Sequence, residues 1–454
     1  DLDPPSDDRS AYFADGVTED IATSLSRIRD LRVIDRASTV AYRDAGKPPD
    51  EIAAELGVRY LLGGSVRRSS ADVRITARLV DAASSTEVWA QSYDRRLEDV
   101  FAVQSDIARQ VAAALEAELV PAVAAEIARE PTADLDAYNA YLRGRYHWHR
   151  RTEESLRRSA ELFETAVRRD SGFARAWAGI ADAYAVLAFY DYLPPAEAYP
   201  QAKRAARRAL AIDSTLAEAH ASLGYVTLYH DWDAATAEAA FRRAIELNPS
   251  YSVGHQWYAN LLVATGRMDE AAREMSRARE VNPLSLIANL ALGWVYYYAG
   301  RSEEAVRQCD LALEMDPDWD LAFLWRGQAL EQLGRFDMAI PALERAVELS
   351  GRSGITLAAL AHAHAAAGAP ARARELLGQL AEGAEAGYQP SFEIAKVHVA
   401  LGEHDAALRR LERAFDERSH SMVFLEVDPQ LAPLRALPAF GELVARVGLK
   451  DPRR

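Results

Sequence analysis

The chain has 454 residues, of which 49% are hydrophobic and 27% charged, and its formal net charge is −15. That balance excludes a largely disordered polymer, and its sign argues against a phosphate-binding surface spread over the molecule. No apolar run approaches the ~18 residues a membrane span needs, and a lone cysteine, Cys309, excludes an internal disulfide framework or a cysteine-based zinc site.

The chain opens at Asp1 with neither a methionine nor a signal-peptide pattern, which reads as a piece of a longer polypeptide. A helix is expected over about 18–29, with Val17, Ile21, Leu25 and Ile28 on one face. LRVIDRASTVAYR (31–43) reads as a strand rich in β-branched residues. PPDEIAAELG reads as a short helix that starts on Pro and stops at Gly57. YLLGGSVRR, VRITARLVDA and EVWAQSYDRRL follow as three strands separated by turn residues, an antiparallel meander. The adjacent Gly63 and Gly64 lack the spacing of a dinucleotide fingerprint and read as a bulge or a close crossing. A helix carrying Phe101, Gln104, Ile107, Val111 and Leu115 in phase closes this small α/β unit, placed at 1–130.

The next stretch is periodic. Gly266, Gly300, Gly334, Gly368 and Gly402 follow one another at intervals of 34 residues, each with Ala five positions later: Ala271, Ala305, Ala339, Ala373 and Ala407. Pro249, Pro283 and Pro317 form a second ladder with the same interval. Such a period describes an array of two-helix units. Gly supplies the left-handed turn between the helices, Ala lets them cross closely, and the residue before Pro ends the second helix. Earlier units keep the phase with insertions: one through Gly224, Phe241 and Ala244 with one extra turn residue, one through Trp177, Tyr184 and Ala202, and one through Gly144, Ala160 and Phe163. About eight units fit within 131–420, and a Pro-containing segment, 421–454, reads as a terminal cap.

These ladders resemble the tetratricopeptide repeat (TPR) family. YFADGVTEDI, LGVRYLLGGSVRR, VRITARLVDA and VWAQSYDRRLEDVFAVQSDIA resemble the TolB amino-terminal-like domain. The joint resemblance implies an α+β protein: a small α/β domain with a mixed sheet that lacks its first strand, supplied upstream of Asp1, followed by an all-α TPR superhelix. It further implies a bacterial signalling protein in which the pair follows an effector: a winged-helix DNA-binding domain, a class III nucleotide cyclase or a Ser/Thr kinase.

No GxxxxGK loop, HExxH, GxSxG elbow or kinase HRD or DFG element occurs, so no catalytic residue, metal or cofactor is expected in this chain. His147 and His149, like His362 and His364, are two apart and diverge on a helix, which makes them partly buried side chains rather than ligands. Cys309 falls where other units place a packing residue.

The first helix of each unit faces the concave side of a TPR superhelix. Phasing places Tyr138, Tyr141 and Trp148 there, then Tyr225 and Tyr229, Gln256 and Asn260. Trp294, Tyr297 and Tyr298 continue the series, with Gln328, Glu331 and Gln332 after them. Rings supply contact area and amides bond to backbone, so a peptide or protein partner is expected in this groove, although several rings could equally fill the space between units. Lysine is too sparse for the Lys/Asn/Arg clamp with which some TPR proteins hold a C-terminal carboxylate. The expected function is a non-catalytic interaction and sensory module that works with an upstream effector of the same polypeptide, binds no nucleic acid itself, and is soluble, cytoplasmic in preference to periplasmic. The alternative is the regulatory half of a larger cyclase or kinase.

Overall fold

The structure, a computed structural model, describes residues 8–28, 30–43, 46–68, 72–190, 192–383 and 390–449. The first helix, α1 (Asp8–Ser26), starts well before Thr18 and buries Phe13, Val17, Ile21 and Leu25. The stretch expected as a strand over 31–43 is not one. It turns into the short helix α2 (Arg36–Thr39) and a 3-10 turn, Val40–Tyr42. Its backbone partners lie in the helical array: the Asp35 amide donates to the Val281 carbonyl at 2.8 Å, and the Leu284 amide donates to the Ser38 hydroxyl at 2.9 Å. β-Branched residues suit an extended chain, but a chain bonded to helix corners has no strand beside it to make a ladder.

Helix α3 (Pro49–Leu56) ends at Gly57, whose φ is +63°. Strands β1 (Tyr60–Arg68), β2 (Asp72–Asp81) and β3 (Thr86–Arg96) pair in sequence order. Among the described residues the sheet is antiparallel throughout, not mixed. A Cβ on Gly64 would run into the Thr76 carbonyl of β2, so this glycine marks a close strand approach, and the irregularity in register lies at Leu79/Val80 instead. Val73, Ile75, Ala77 and Leu79 alternate onto the buried face of β2 and pack, with Tyr93, against α1 and α4 (Val100–Ala114). Helix α5 (Pro121–Ile127) leads into the array.

Eight helical hairpins follow among the described residues. They are α6 (Leu135–Trp148) with α7 (Glu153–Arg169), α8 (Ala174–Phe189) with α9 (Pro195–Ile212), and α10 (Ala217–Val226) with α11 (Ala234–Leu247). Then come α12 (Ser252–Ala264) with α13 (Met268–Val281), α14 (Leu286–Tyr298) with α15 (Ser302–Met315), and α16 (Asp320–Gln332) with α17 (Phe336–Leu349). The last two pair α18 (Gly354–Ala366) with α19 (Pro370–Gly383) and α20 (Ser391–Ala400) with α21 (His404–Asp416). All five ladder glycines take φ between +70° and +82°, and the five alanines that follow them are buried. In the first hairpins a different device brings the helices together: the Phe163 ring wedges between Gly144 and Gly179, 2.6 and 2.7 Å from where their Cβ atoms would stand. The extra residue of the third hairpin is absorbed as a π-helical turn, Thr227–Asp231, closed by Trp232 with φ +59°.

The α/β unit and the array share one core, which runs from Phe13 and Val73 through Tyr138 to Leu443. Asp20 of α1 accepts from the Tyr138 hydroxyl and pairs with Arg175 at 2.9 Å, while Gln104 donates to the same hydroxyl at 2.9 Å. Beyond α21 the chain forms two 3-10 stretches, His420–Phe424 and Pro429–Leu434, and ends in α22 (Pro438–Val447). Among the described residues no helix is long and apolar enough to cross a membrane.

Candidate functional site: the concave face

A solenoid of helical hairpins turns its first helices inward, so the concave surface here is built from α6, α8, α10, α12, α14, α16, α18 and α20. In this protein that surface is not a continuous open groove. The segment expected as a terminal cap runs back across it. The Phe424 ring lies 5.3 Å from both Trp294 and Tyr298 of α14 and 6.3 Å from Tyr229. His420 sits 4.8 Å from Phe189 at the end of α8. Gln430 donates to Glu331 of α16 at 3.3 Å and lies 3.2 Å from His362 of α18, which is 2.7 Å from Glu331. Lys396 of α20 pairs with Glu393 at 2.5 Å and with Asp428 at 3.5 Å. Burial opposes the charge of Lys396, but those two carboxylates outweigh it and hold the ammonium well above the usual lysine range.

The final hairpin also meets the third. Trp232 stacks 5.0 Å from Phe415 and carries the Arg418 guanidinium over its ring at 4.3 Å. The superhelix is thus bridged by its own tail, with Met422, Phe424, Leu425, Leu431 and Leu434 buried inside it.

The residues proposed from sequence divide accordingly. Tyr138 is buried against Phe101, with 4.6 Å between ring centroids, and serves the junction with α1. Tyr141 lies half-buried between Phe163 and Phe173. Trp148 is buried under the guanidinium groups of Arg145 and Arg151. Tyr225 packs on Trp257 at 4.4 Å and on Tyr229 at 4.5 Å, and Asn260 donates to the Tyr229 hydroxyl at 3.1 Å; these four are core. Trp294 and Tyr298 hold the tail, with Tyr297 buried behind them against Trp325. Gln328 is buried, Glu331 is buried against Gln430, Gln256 is half-buried, and Gln332 is exposed. The thirteen do not form one free surface, because a tail of the same chain already covers the centre of the set.

Sequence reasoning missed the residues that do the covering, His420, Phe424 and Gln430. Their only signal was the loss of the 34-residue phase. It also missed the charged seam between α1 and the first hairpins. There, burial would raise Glu19, but Arg145, 2.8 Å away, and His149 hold its carboxyl well below the usual range. Burial pushes the neighbouring Asp182 up to about 6, against the pull of Arg145 and Ser222. Cys309 is buried and burial pushes its thiol up to about 12, as for an inert packing residue.

An array of helical hairpins with left-handed glycine turns and small-residue crossings defines a repeat scaffold. Residues 259–320 and 294–354 match the family model described as Tetratricopeptide repeat, so tetratricopeptide repeats occupy that stretch of the array. Over 276 residues, 58% of this chain, the sequence is 33% identical to "Putative adenylate cyclase 3" of Rhizobium meliloti (strain 1021). The match spans 39% of that relative's length. Among solved structures, YrrB, described as a TPR protein with an unusual peptide-binding site, is 21% identical and covers 44% of this chain and 97% of its own, with a TM-score of 0.30. A tetratricopeptide repeat protein from Parabacteroides merdae ATCC 43184 is 15% identical, covers 58% and 98%, and has a TM-score of 0.40.

Proposed function

We propose that this chain is a non-catalytic interaction and sensory module of a bacterial signalling or transcription-regulatory protein, holding a peptide or protein partner against the concave face of its TPR array. The observation that carries the reading is the tail itself: aromatic rings and amides of the inner helices hold two short 3-10 helical stretches of polypeptide, the way they would hold a ligand. A partner uses the part of that face the tail leaves uncovered, where Gln256 is half-buried and Gln332 exposed. We read residues 1–130 as a TolB amino-terminal-like unit that passes the binding event to an upstream effector through the seam of Asp20 and Arg175. The test is a peptide-display selection against the full chain. Ligands that lose affinity when Gln256 and Gln332 are both changed to Ala, at unchanged thermal midpoint, support the reading. Undiminished capture, or no ligand above background, refutes it.

A second reading is favoured by the relative's name: the chain is the regulatory half of a nucleotide cyclase whose catalytic domain lies outside it. Cyclic AMP formation from ATP by the native polypeptide with its upstream sequence, with and without residues 1–454, decides it. A rate indifferent to their removal, or no turnover, counts against it.

A further inference from the structure

Around the first hairpins, the inward arginines are matched with carboxylates: Arg27 with Glu126 at 3.5 Å, Arg145 with Glu19 at 2.8 Å and Arg175 with Asp20 at 2.9 Å. Arg151 is the exception. Among the described residues its guanidinium meets no carboxylate and makes no hydrogen bond; it lies over the Trp148 ring, 3.6 Å from the centroid. Its backbone is left-handed, with φ +58°, in the turn between α6 and α7, where five later hairpins place glycine. A long side chain held there against its conformational preference points to a demand on the side chain rather than on the turn.

The surroundings define what that demand is. Burial pulls the guanidinium pKa below its ordinary value, and the phenols of Tyr190 and Tyr225 and the carboxyl of Asp182 act on it from neighbouring helices. Tyr251, within electrostatic reach of Arg151 and Asp182, has a hydroxyl that is buried without a partner. A partly buried cation with no ion-pair partner is stabilised by an incoming anion, and a buried hydroxyl needs a partner too. Arg151 is half-exposed, so an incoming group can reach it.

We infer that Arg151, with Trp148 as its floor and Tyr251 as a second donor, is the subsite for a single carboxylate on a partner polypeptide, an Asp or Glu side chain. The inference rests on the interaction-module reading and names the chemistry of its occupant. A dianionic phosphate suits the subsite less well, because Asp182 and Glu218 both act on Tyr251 and repel the extra charge.

The test extends the display selection on the full chain to Arg151→Lys and Arg151→Asn, asparagine being tolerated in the left-handed region. Wild-type ligands should share one acidic position whose change to the amide weakens binding by about tenfold or more, the loss expected for a charge-assisted hydrogen bond. Arg151→Lys should keep part of that discrimination and Arg151→Asn should erase it, with the thermal midpoint unchanged or raised. Phosphoserine at the same position should bind more weakly than Asp. Ligands without a shared acid, discrimination that survives Arg151→Asn, or tighter binding of phosphoserine each overturn the assignment while leaving the interaction module standing. Failure to select any ligand overturns both.

Discussion

Replacing Phe424 with Ala tests whether the tail closes the array in solution. The side chain is 5% exposed and its ring contacts Trp294, Tyr298 and Tyr229. A buried Phe→Ala change costs about 3–5 kcal/mol, and the ring pairs belong to the upper part of that range because each contributes about 0.5–1.5 kcal/mol beyond its area. We expect a loss of about 4 kcal/mol. The more telling consequence is for cooperativity. In an open solenoid each hairpin leans only on its neighbours, and stability is a sum of nearest-neighbour terms. Here the tail touches Phe189, Tyr229, Trp294, Glu331 and Lys396, which belong to the second, third, fifth, sixth and eighth hairpins. Urea unfolding followed by far-UV circular dichroism and by tryptophan fluorescence should therefore give coincident transitions in the wild type. In Phe424→Ala the midpoint should fall and the two probes should separate, as the hairpins regain independence. A loss below about 1 kcal/mol with coincident curves would show that the tail is not seated among these rings.

Most of the array was legible in the sequence because its period is written in local physics. A left-handed turn selects Gly300 or Gly334, and a close helix crossing selects Ala305 or Ala339, wherever the unit recurs. The meander was legible for the same kind of reason, since Val73, Ile75, Ala77 and Leu79 alternate with polar residues. What stayed hidden depends on accumulated geometry. A period specifies how one hairpin sits on the next, but not the superhelical rotation that brings the eighth back to the third, so 421–454 read as a cap rather than as a plug. Long-range polar partners were equally invisible: Asp20 meets Tyr138 and Arg175 across 118 and 155 residues of sequence. The segment at 31–43 misled because Val33 and Ile34 carry a strand's composition, while its hydrogen bonds go to array corners at Ser250 and Val281. Arg151 fell in a turn recognised only as longer than its fellows.

Three further outcomes are expected. Arg175→Ala leaves Asp20, 8% exposed, buried without its cation and should cost about 3–5 kcal/mol in denaturant unfolding, loosening α1 from the first hairpins; a cost under 1 kcal/mol would mean that Asp20 has another counter-charge. Gly179→Ala drives a methyl toward the Phe163 ring and should cost about 1–3 kcal/mol, whereas Gly300→Ala meets open space and should cost about 1 kcal/mol for its φ of +70° alone; equal costs in thermal melts would contradict this split. Finally, burial pushes His420 down to about 4. The unfolded chain, with an imidazole pKa near 6.5, then binds more protons than the folded chain between about pH 4 and 6.5. The stability this residue contributes is present above about pH 6.5 and is lost as pH falls toward 4. At pH 5 the loss is about 2 kcal/mol, at 1.36 kcal/mol for each pH unit below 6.5. Asp182 acts in the opposite direction: its carboxyl, raised to about 6, keeps its proton in the fold and adds stability as pH falls through the same window. The measurement is consequently a difference, the change in unfolding free energy from pH 7 to pH 5 for wild type against His420→Gln. The wild type should lose about 2 kcal/mol more than the variant, because only it must bury a group that prefers to be charged. Parallel slopes would place His420 in water, and with it the start of the segment that closes the array.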